Sequence, residues 1–246
     1  MAVNKDSNGY TFGFAIALVV VVGTSLALIS QGLKPLQEKN EEVKKKLDIL
    51  SAMLTSVEME TIDRSNGEEN FDKYINLNEA IVIDINGEVK ESVKAFDIDI
   101  KKDYKDKNLI DANKSFPLFM SEKDGEQLYI IPIVGKGLWG PIWGNICLGP
   151  DMKTIVGASF GHKGETPGLG AEIAQPFFVN RWMQEVVSDE SGSPVKFEIV
   201  KDNSGKDNLA KVDGITGGTI TAVGVQEMVN RCLKPYVTYF NNLKKD

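Results

Sequence analysis

The chain has 246 residues, a net charge of −7 and a sequence pI near 5.0. That length suits one ordinary domain with appendages, because a domain of ~100 to 200 residues already buries a core. The acidic balance and the lack of a basic patch interleaved with aromatics exclude nucleic acid as a partner, since binding a phosphate backbone would have nothing to rest on.

Residues Thr11 to Ile29 are apolar or small throughout, with Val19 to Val22 at the centre and no charge. About twenty such residues are what a helix needs to cross a hydrocarbon core. A cleaved signal peptide would have an apolar region of ~7 to 15 residues followed by a small-residue cleavage site. Gln31-Gly32-Leu33-Lys34-Pro35 is a poor one, so a retained single span over 11–30 is expected, after a short N-terminal stretch at 1–10. Lys5 precedes the span and Lys34, Lys39 and Lys44 to Lys46 follow it, but Glu38, Glu41 and Glu42 are interleaved with the latter. Charge therefore leaves the orientation open, because long domains translocate largely regardless of it.

Leu36 to Val57 continues as a charged helix with Leu47, Leu50 and Leu54 on one stripe, expected to be a stalk carrying the domain off the membrane. Glu58 to Asn70 is polar, with Asn66-Gly67 as a turn, and reads as linker or as the domain's first loop; a stalk-and-linker region is placed over 31–70 and the main domain over 71–246. Ala80 to Ile85 alternates and runs into Asn86-Gly87, a strong hairpin signal. Asp97 to Lys107, dense in Asp and Lys, reads as a solvated edge or insertion. Gln127 to Val134 is an apolar strand interrupted by Pro132, which predicts an edge or bulged position.

Gly135 to Gly144 crowds glycines and a proline around Trp139 and Trp143, which suits a tight loop presenting indole faces to a flat heterocycle. The alternative is a pair of core tryptophans. Cys147 and Cys232 lie in apolar segments and are too few and too far apart for a zinc site or a disulfide framework, so two buried free thiols are expected. A strand at Lys153 to Ser159 precedes a second glycine-rich loop, His162 to Ala171, in which His162 has no sequence partner that would make it catalytic. A helix is expected over Pro176 to Val187, from Pro176 in its first turn and the spacing of Phe178, Trp182 and Val186, then a short strand at Phe197 to Val200.

Lys211 and Val212 lead into Asp213-Gly214-Ile215-Thr216-Gly217-Gly218-Thr219-Ile220-Thr221, hydroxyls and glycines placed directly before an amphipathic run. Val225, Met228, Val229, Cys232, Leu233, Tyr236, Val237 and Phe240 recur at helical spacing with one buried face. The hydroxyls thus sit at a helix start, where unpaired N–H groups and the positive end of the dipole suit a phosphate. Thr216 or Thr219 acting only as a helix cap is the competing reading.

Asp213, Thr216, Gly217 and Thr219 resemble the covalent flavinylation signature: Asp, two variable residues, Ser or Thr, Gly or Ser, Ala, then the acceptor Thr. Gly218 replaces the usual Ala, which loosens the backbone without blocking it. With the Gly-Leu-Trp and Glu-Thr-Pro-Gly-Leu-Gly loops in the same order, the chain resembles the FMN-binding domain family. That family contains NqrC of the sodium-translocating NADH:quinone oxidoreductase and RnfG of the Rnf complex, and the extended tryptophan loop leans toward the former.

The resemblance implies an electron carrier with FMN joined through its phosphate to Thr219 by a flavin transferase. It places Thr216, Gly217, Gly218, Ile220 and Thr221 around the phosphate and Trp139, Glu165, Thr166, Gly168, Leu169 and Gly170 along the ring and ribityl chain, with Lys211 or Lys201 offsetting the charge. It implies a bacterial inner-membrane, single-pass protein with a periplasmic FMN domain, partnered by the other subunits of a redox complex that exports sodium. No Gly-x-Gly-x-x-Gly fingerprint is present, so NADH would be oxidised on another subunit. A membrane-tethered sensor or ligand-binding ectodomain without redox chemistry fits the span, stalk and loops equally well, and the threonine signature alone separates the two. The expected fold is α+β, with a twisted, largely antiparallel sheet, flanking helices and the flavin held between loops at one edge.

Overall fold

A computed structural model describes residues 7–244, those at 111 and 207 by backbone alone. Residues 1–6 of the expected N-terminal stretch, Lys5 among them, and residues 245–246 lie outside the described residues. The chain divides into two compact units, residues 1–45 and 46–246.

The first unit consists of most of helix α1 (Asn8–Leu50), whose apolar part has a mean hydropathy of 2.5 and is long enough to cross a membrane. The expected span and stalk are one helix, with Pro35 inside it removing one amide donor.

The second unit begins at Lys46, not near residue 71 as expected. The stalk reading fails for its last turn because Ile49, Leu50, Met53 and Leu54 are buried. The expected linker is helical at both ends: α2 (Ser56–Met59) is opened by a capping box between Thr55 and Glu58, and α3 (Gly67–Tyr74) starts at the expected Asn66-Gly67 turn. Strand β1 (Ile81–Ile83) meets the chain after Asn86-Gly87 only at an Ile83–Val89 bridge, so the expected hairpin is a turn braced by the Asp84 carboxylate rather than a strand pair. Helix α4 (Ile100–Lys105), capped by Asp99, replaces the expected solvated edge. It is half-buried because Lys101 lies over the Trp143 ring at 3.6 Å and Tyr104 under the Arg231 guanidinium at 4.8 Å.

Strands β2 (Phe116–Lys123), β3 (Glu126–Lys136), β4 (Pro141–Leu148) and β5 (Ile155–His162) complete a five-stranded antiparallel sheet in the order β1-β2-β3-β4-β5. The two-residue hairpin is at Asp124-Gly125, where both residues have positive φ, 55° and 81°, as a turn matched to strand twist requires. Pro132 therefore lies in the central strand, contrary to the expected edge or bulged position. It is tolerated because the β2 ladder ends at Phe119–Ile130, leaving Pro132 paired with β4 only.

After β5 comes a short helix α5 (Pro176–Val179) and a single 3-10 turn to Trp182; the chain then extends, and Val186 bridges Thr154, which ends the helix five residues before Val187. Strands β6 (Glu198–Val200) and β7 (Lys211–Asp213) form a separate parallel pair. Helix α6 (Thr219–Leu243) then crosses one face of the sheet, and all eight apolar positions anticipated for it from Val225 to Phe240 are buried. Side-chain alternation along the strands gives each face its own core. Ile131, Ile133, Ile146 and Leu148 meet α6, whereas Phe119, Leu128, Ile130 and Cys147 meet Ile49, Leu50 and Phe71.

Candidate functional site

The segment between β7 and α6 is anchored from behind. Arg181 Nη1 donates to the carbonyls of Asp213 at 2.7 Å and Gly214 at 2.8 Å, and the Asp213 carboxylate accepts from the Gly205 N–H at 2.9 Å. The side chain of Ile215 is buried, and the Gly218 N–H donates to the Ile215 carbonyl at 2.9 Å to close the turn. Gly217 supplies the positive φ, 76°, that this reversal needs.

Gly218 is the N-cap, so no side chain caps α6 and the competing role for Thr216 and Thr219 is not realised. Thr216, Gly217 and Ile220 are exposed and Thr219, the first helical residue, is partly exposed. Among the described residues the Thr219 hydroxyl has no hydrogen-bond partner, and the N–H groups of Thr219, Ile220 and Thr221 have no acceptor. These are the donors that an anion at a helix start uses.

The two loops converge on this helix start through Glu165. The residue is 5 % exposed. Oε1 accepts from the Trp139 backbone N–H at 2.8 Å and Oε2 from the Thr221 hydroxyl at 2.6 Å. The Glu165 N–H donates to His162 Nδ1 at 3.2 Å, and His162 is the last residue of β5 rather than part of the loop expected for it. Leu169 lies against Gly217 and Gly218. The Thr166 carbonyl accepts from the N–H groups of Leu169 and Ala171, and Gly168, with φ 77°, donates to Glu172, which shapes the loop around Gly170.

The two tryptophans part company. Trp139 is 69 % exposed, and Leu138 on its loop, Leu169 on the second loop and Ile220 and Val223 on α6 are exposed apolar side chains as well. Trp143 points to the other face of the sheet, where its indole N–H donates to Asp48 Oδ2 at 3.2 Å. One loop thus offers one indole, not two.

Lys211 is placed elsewhere. With Arg181, Lys206, Glu185 and Asp213 it lines a cavity of about 600 Å³ whose wall includes none of Trp139, Glu165 or Thr219. Burial raises the Glu185 carboxyl pKa there, although the Ala210 N–H donates to it. Sequence reasoning missed Arg181 and Asp48, since nothing in their local pattern marks an arginine or aspartate that works by reaching across more than thirty residues. Both cysteines are free and buried, and burial pushes the Cys147 thiol up to about 12. Among the described residues no group of three or more His, Cys, Asp and Glu side chains could hold a metal ion.

A free hydroxyl among free N–H groups, flanked by exposed aromatic and aliphatic side chains, fits a phosphate carried on a flat heterocycle. Residues 137–234, which contain both loops and the helix start, match the FMN-binding domain family. The crystal structure of the C component (NqrC) of the Na(+)-translocating NADH-quinone reductase from Parabacteroides distasonis is 36 % identical and superposes with a TM-score of 0.73, covering 84 % of this chain and 96 % of that one. The chain belongs to the NqrC family. Relatives with the same name from Pseudomonas aeruginosa, 27 % identical over 98 % of each chain, and Yersinia pestis, 27 % identical over 92 % of this chain and 89 % of that one, extend the likeness through the N-terminal helix.

Proposed function

We propose that this chain is the FMN-carrying subunit of a sodium-translocating NADH:quinone reductase, with the FMN phosphate joined to Thr219 Oγ1 as a phosphoester. The observation that carries the reading is the Thr219 hydroxyl, partly exposed and, among the described residues, unbonded beside three N–H groups without acceptors, inside a segment that matches the FMN-binding family. A hydroxyl retained for capping would be committed to the backbone.

Bound FMN supplies the electron-carrying chemistry; the chain attaches, orients and shields it. Thr216, Gly217, Gly218 and the N–H groups of Thr219, Ile220 and Thr221 surround the phosphate, and the helix dipole offsets its remaining negative charge. The Thr221 side chain is committed to Glu165, so Thr221 contributes its N–H alone. Trp139, Thr166, Gly168, Leu169 and Gly170 lie along the ring and ribityl chain. Because Lys211 lines the cavity behind the segment, we assign charge balance to the helix start. The apolar part of α1 anchors the chain in the inner membrane with the FMN domain in the periplasm. A flavin transferase attaches the cofactor, and the other subunits oxidise NADH and reduce quinone. Relatives bearing the NqrC name over nearly the whole chain favour this over an RnfG role in an Rnf complex.

Intact mass and peptide mapping of the full chain co-expressed with a flavin transferase test the reading. One FMN less water on Thr219, absent in Thr219→Val, supports it. An unmodified chain beside an active transferase replaces it with the sensor reading, and modification at Thr216 or Thr221 moves the attachment site.

A further inference from the structure

The geometry points to Glu165 as the positioning residue of the flavin site: its carboxylate locks the Trp139 loop to the first turn of α6. This rests on the flavin-carrier reading for its purpose, though the lock itself is a property of the bare chain.

The carboxylate of a residue only 5 % exposed needs donors, and Glu165 draws them from two separate elements. One oxygen takes the Trp139 N–H from the loop between β3 and β4, and the other takes the Thr221 hydroxyl from the third residue of α6. Hydrogen bonds to an ionised carboxylate are stronger than neutral ones, and these two leave from opposite arms of one rigid group. Glu165 is itself pinned at the end of β5 through its N–H to His162.

The space around it is cut to the carboxylate. A Cβ on Gly137 would lie 2.6 Å from Oε1, and one on Gly170 would lie 2.5 Å from both Oε2 and the Thr221 hydroxyl oxygen. Those distances are closer than carbon and oxygen tolerate, so glycine at both places is what lets the carboxylate stand between the loops.

The Trp139 loop needs such a hold. Its own closure is the Gly137 N–H to the Gly140 carbonyl at 2.8 Å, and Leu138 and Trp139 project their side chains into solvent. Among the described residues the bond to Glu165 is the hydrogen bond that ties Trp139 to the rest of the chain. The indole, 69 % exposed, therefore has little packing to place it, and its position relative to Thr219 is set through Glu165 and Thr221, two residues along the same helix. Glu165 consequently acts through Trp139 rather than as a wall of the flavin pocket.

Glu165→Leu and Glu165→Gln in the full chain test this. Leu removes both acceptor oxygens, whereas Gln keeps one for the Trp139 N–H and turns its N–H₂ toward the Thr221 hydroxyl, whose oxygen can accept. Without flavin, amide exchange at Trp139 should quicken about tenfold or more in Glu165→Leu, as expected for losing a hydrogen bond to a charged acceptor, and by less in Glu165→Gln. On the flavinylated chain, Glu165→Leu should raise flavin emission about twofold or more as indole stacking loosens and move the midpoint potential, with smaller changes in Glu165→Gln. A Glu165→Leu chain that melts lower yet keeps wild-type Trp139 exchange, emission and potential would make Glu165 merely structural and overturn the proposal. If no flavin attaches to the wild type, the carrier reading fails while the exchange measurement still decides the lock.

Discussion

The two faces of the sheet are covered in different ways. One carries the 25-residue helix α6, whose apolar stripe runs from Val225 to Phe240, and beside it the segment that brings Ile173, Phe178, Trp182 and Phe197 into the same core. The other is covered in pieces: the end of α1, the turn through Leu54, Phe71 and Ile75 around α3, and Ala95. Polar bonds stitch those pieces on. The Asp48 carbonyl accepts from Asn145 Nδ2 at 2.8 Å and from Ser159 Oγ at 3.1 Å, and Lys46, 5 % exposed, pairs with Glu68 at 3.0 Å above the rings of Phe71 and Phe96. A continuous helix locates itself by its own periodicity, whereas short pieces need individual anchors, because each buries too little to fix its position alone. The functional segment belongs to the first face, at the start of the helix that organises it.

The comparison can be broken most sharply at Thr219. Thr219→Val should abolish flavin attachment, read by intact mass, and leave the melting temperature nearly unchanged, since the hydroxyl bonds nothing among the described residues. On the same face, Trp182→Ala should cost about 3 to 5 kcal/mol in denaturant unfolding. Trp182 is fully buried among Phe160, Phe178 and Phe197, and its indole N–H is without a partner among the described residues, so the loss is of volume alone. On the second face, Leu50→Ala should cost about 2 to 5 kcal/mol while leaving the extent of flavinylation at Thr219 intact. A Leu50→Ala chain that folds but is not flavinylated would show that the faces are not independent.

Smaller changes sharpen the contrast. Tyr236→Phe removes a buried bond from the Tyr236 hydroxyl to the Pro117 carbonyl, 2.8 Å, and should cost about 0.5 to 1.5 kcal/mol by the same measurement. The smallest effect is at the rim of the second face. The Lys123 ammonium, then the Thr55 N–H and hydroxyl, hold the Glu58 carboxyl at about 2, below its ordinary 4.5. An acid whose folded pKa is lowered stabilises the fold above its unfolded value and loses that contribution as pH falls through the folded one. Wild type should therefore exceed Glu58→Gln in melting temperature near neutrality, and the two should converge between pH 4.5 and about 2. A gap that persists at the acid end would assign the effect to packing instead.

Much of this protein was legible in its residues alone. The apolar run from Thr11, the helical stripe from Val225 to Phe240 and the strand from Gln127 declare themselves through local periodicity, which any chain of that pattern must satisfy by burying one face or entering a lipid core. The Asp213 to Thr221 wording declared a helix start with hydroxyls on it. The end of α1 did not declare itself, because Asp48 reads as part of a charged helix until Asn145, Ser159 and Trp143, about a hundred residues on, supply its partners. Nor could the wording around Trp139 and Trp143 tell which indole is exposed, since strand alternation sends Trp143 to the opposite face only once β4 has its register. Glu165 was visible as part of a loop, but a carboxylate's role depends on which donors reach it. Trp139 and Thr221 are brought to it by sheet closure and helix docking, long-range events that residue order does not encode locally.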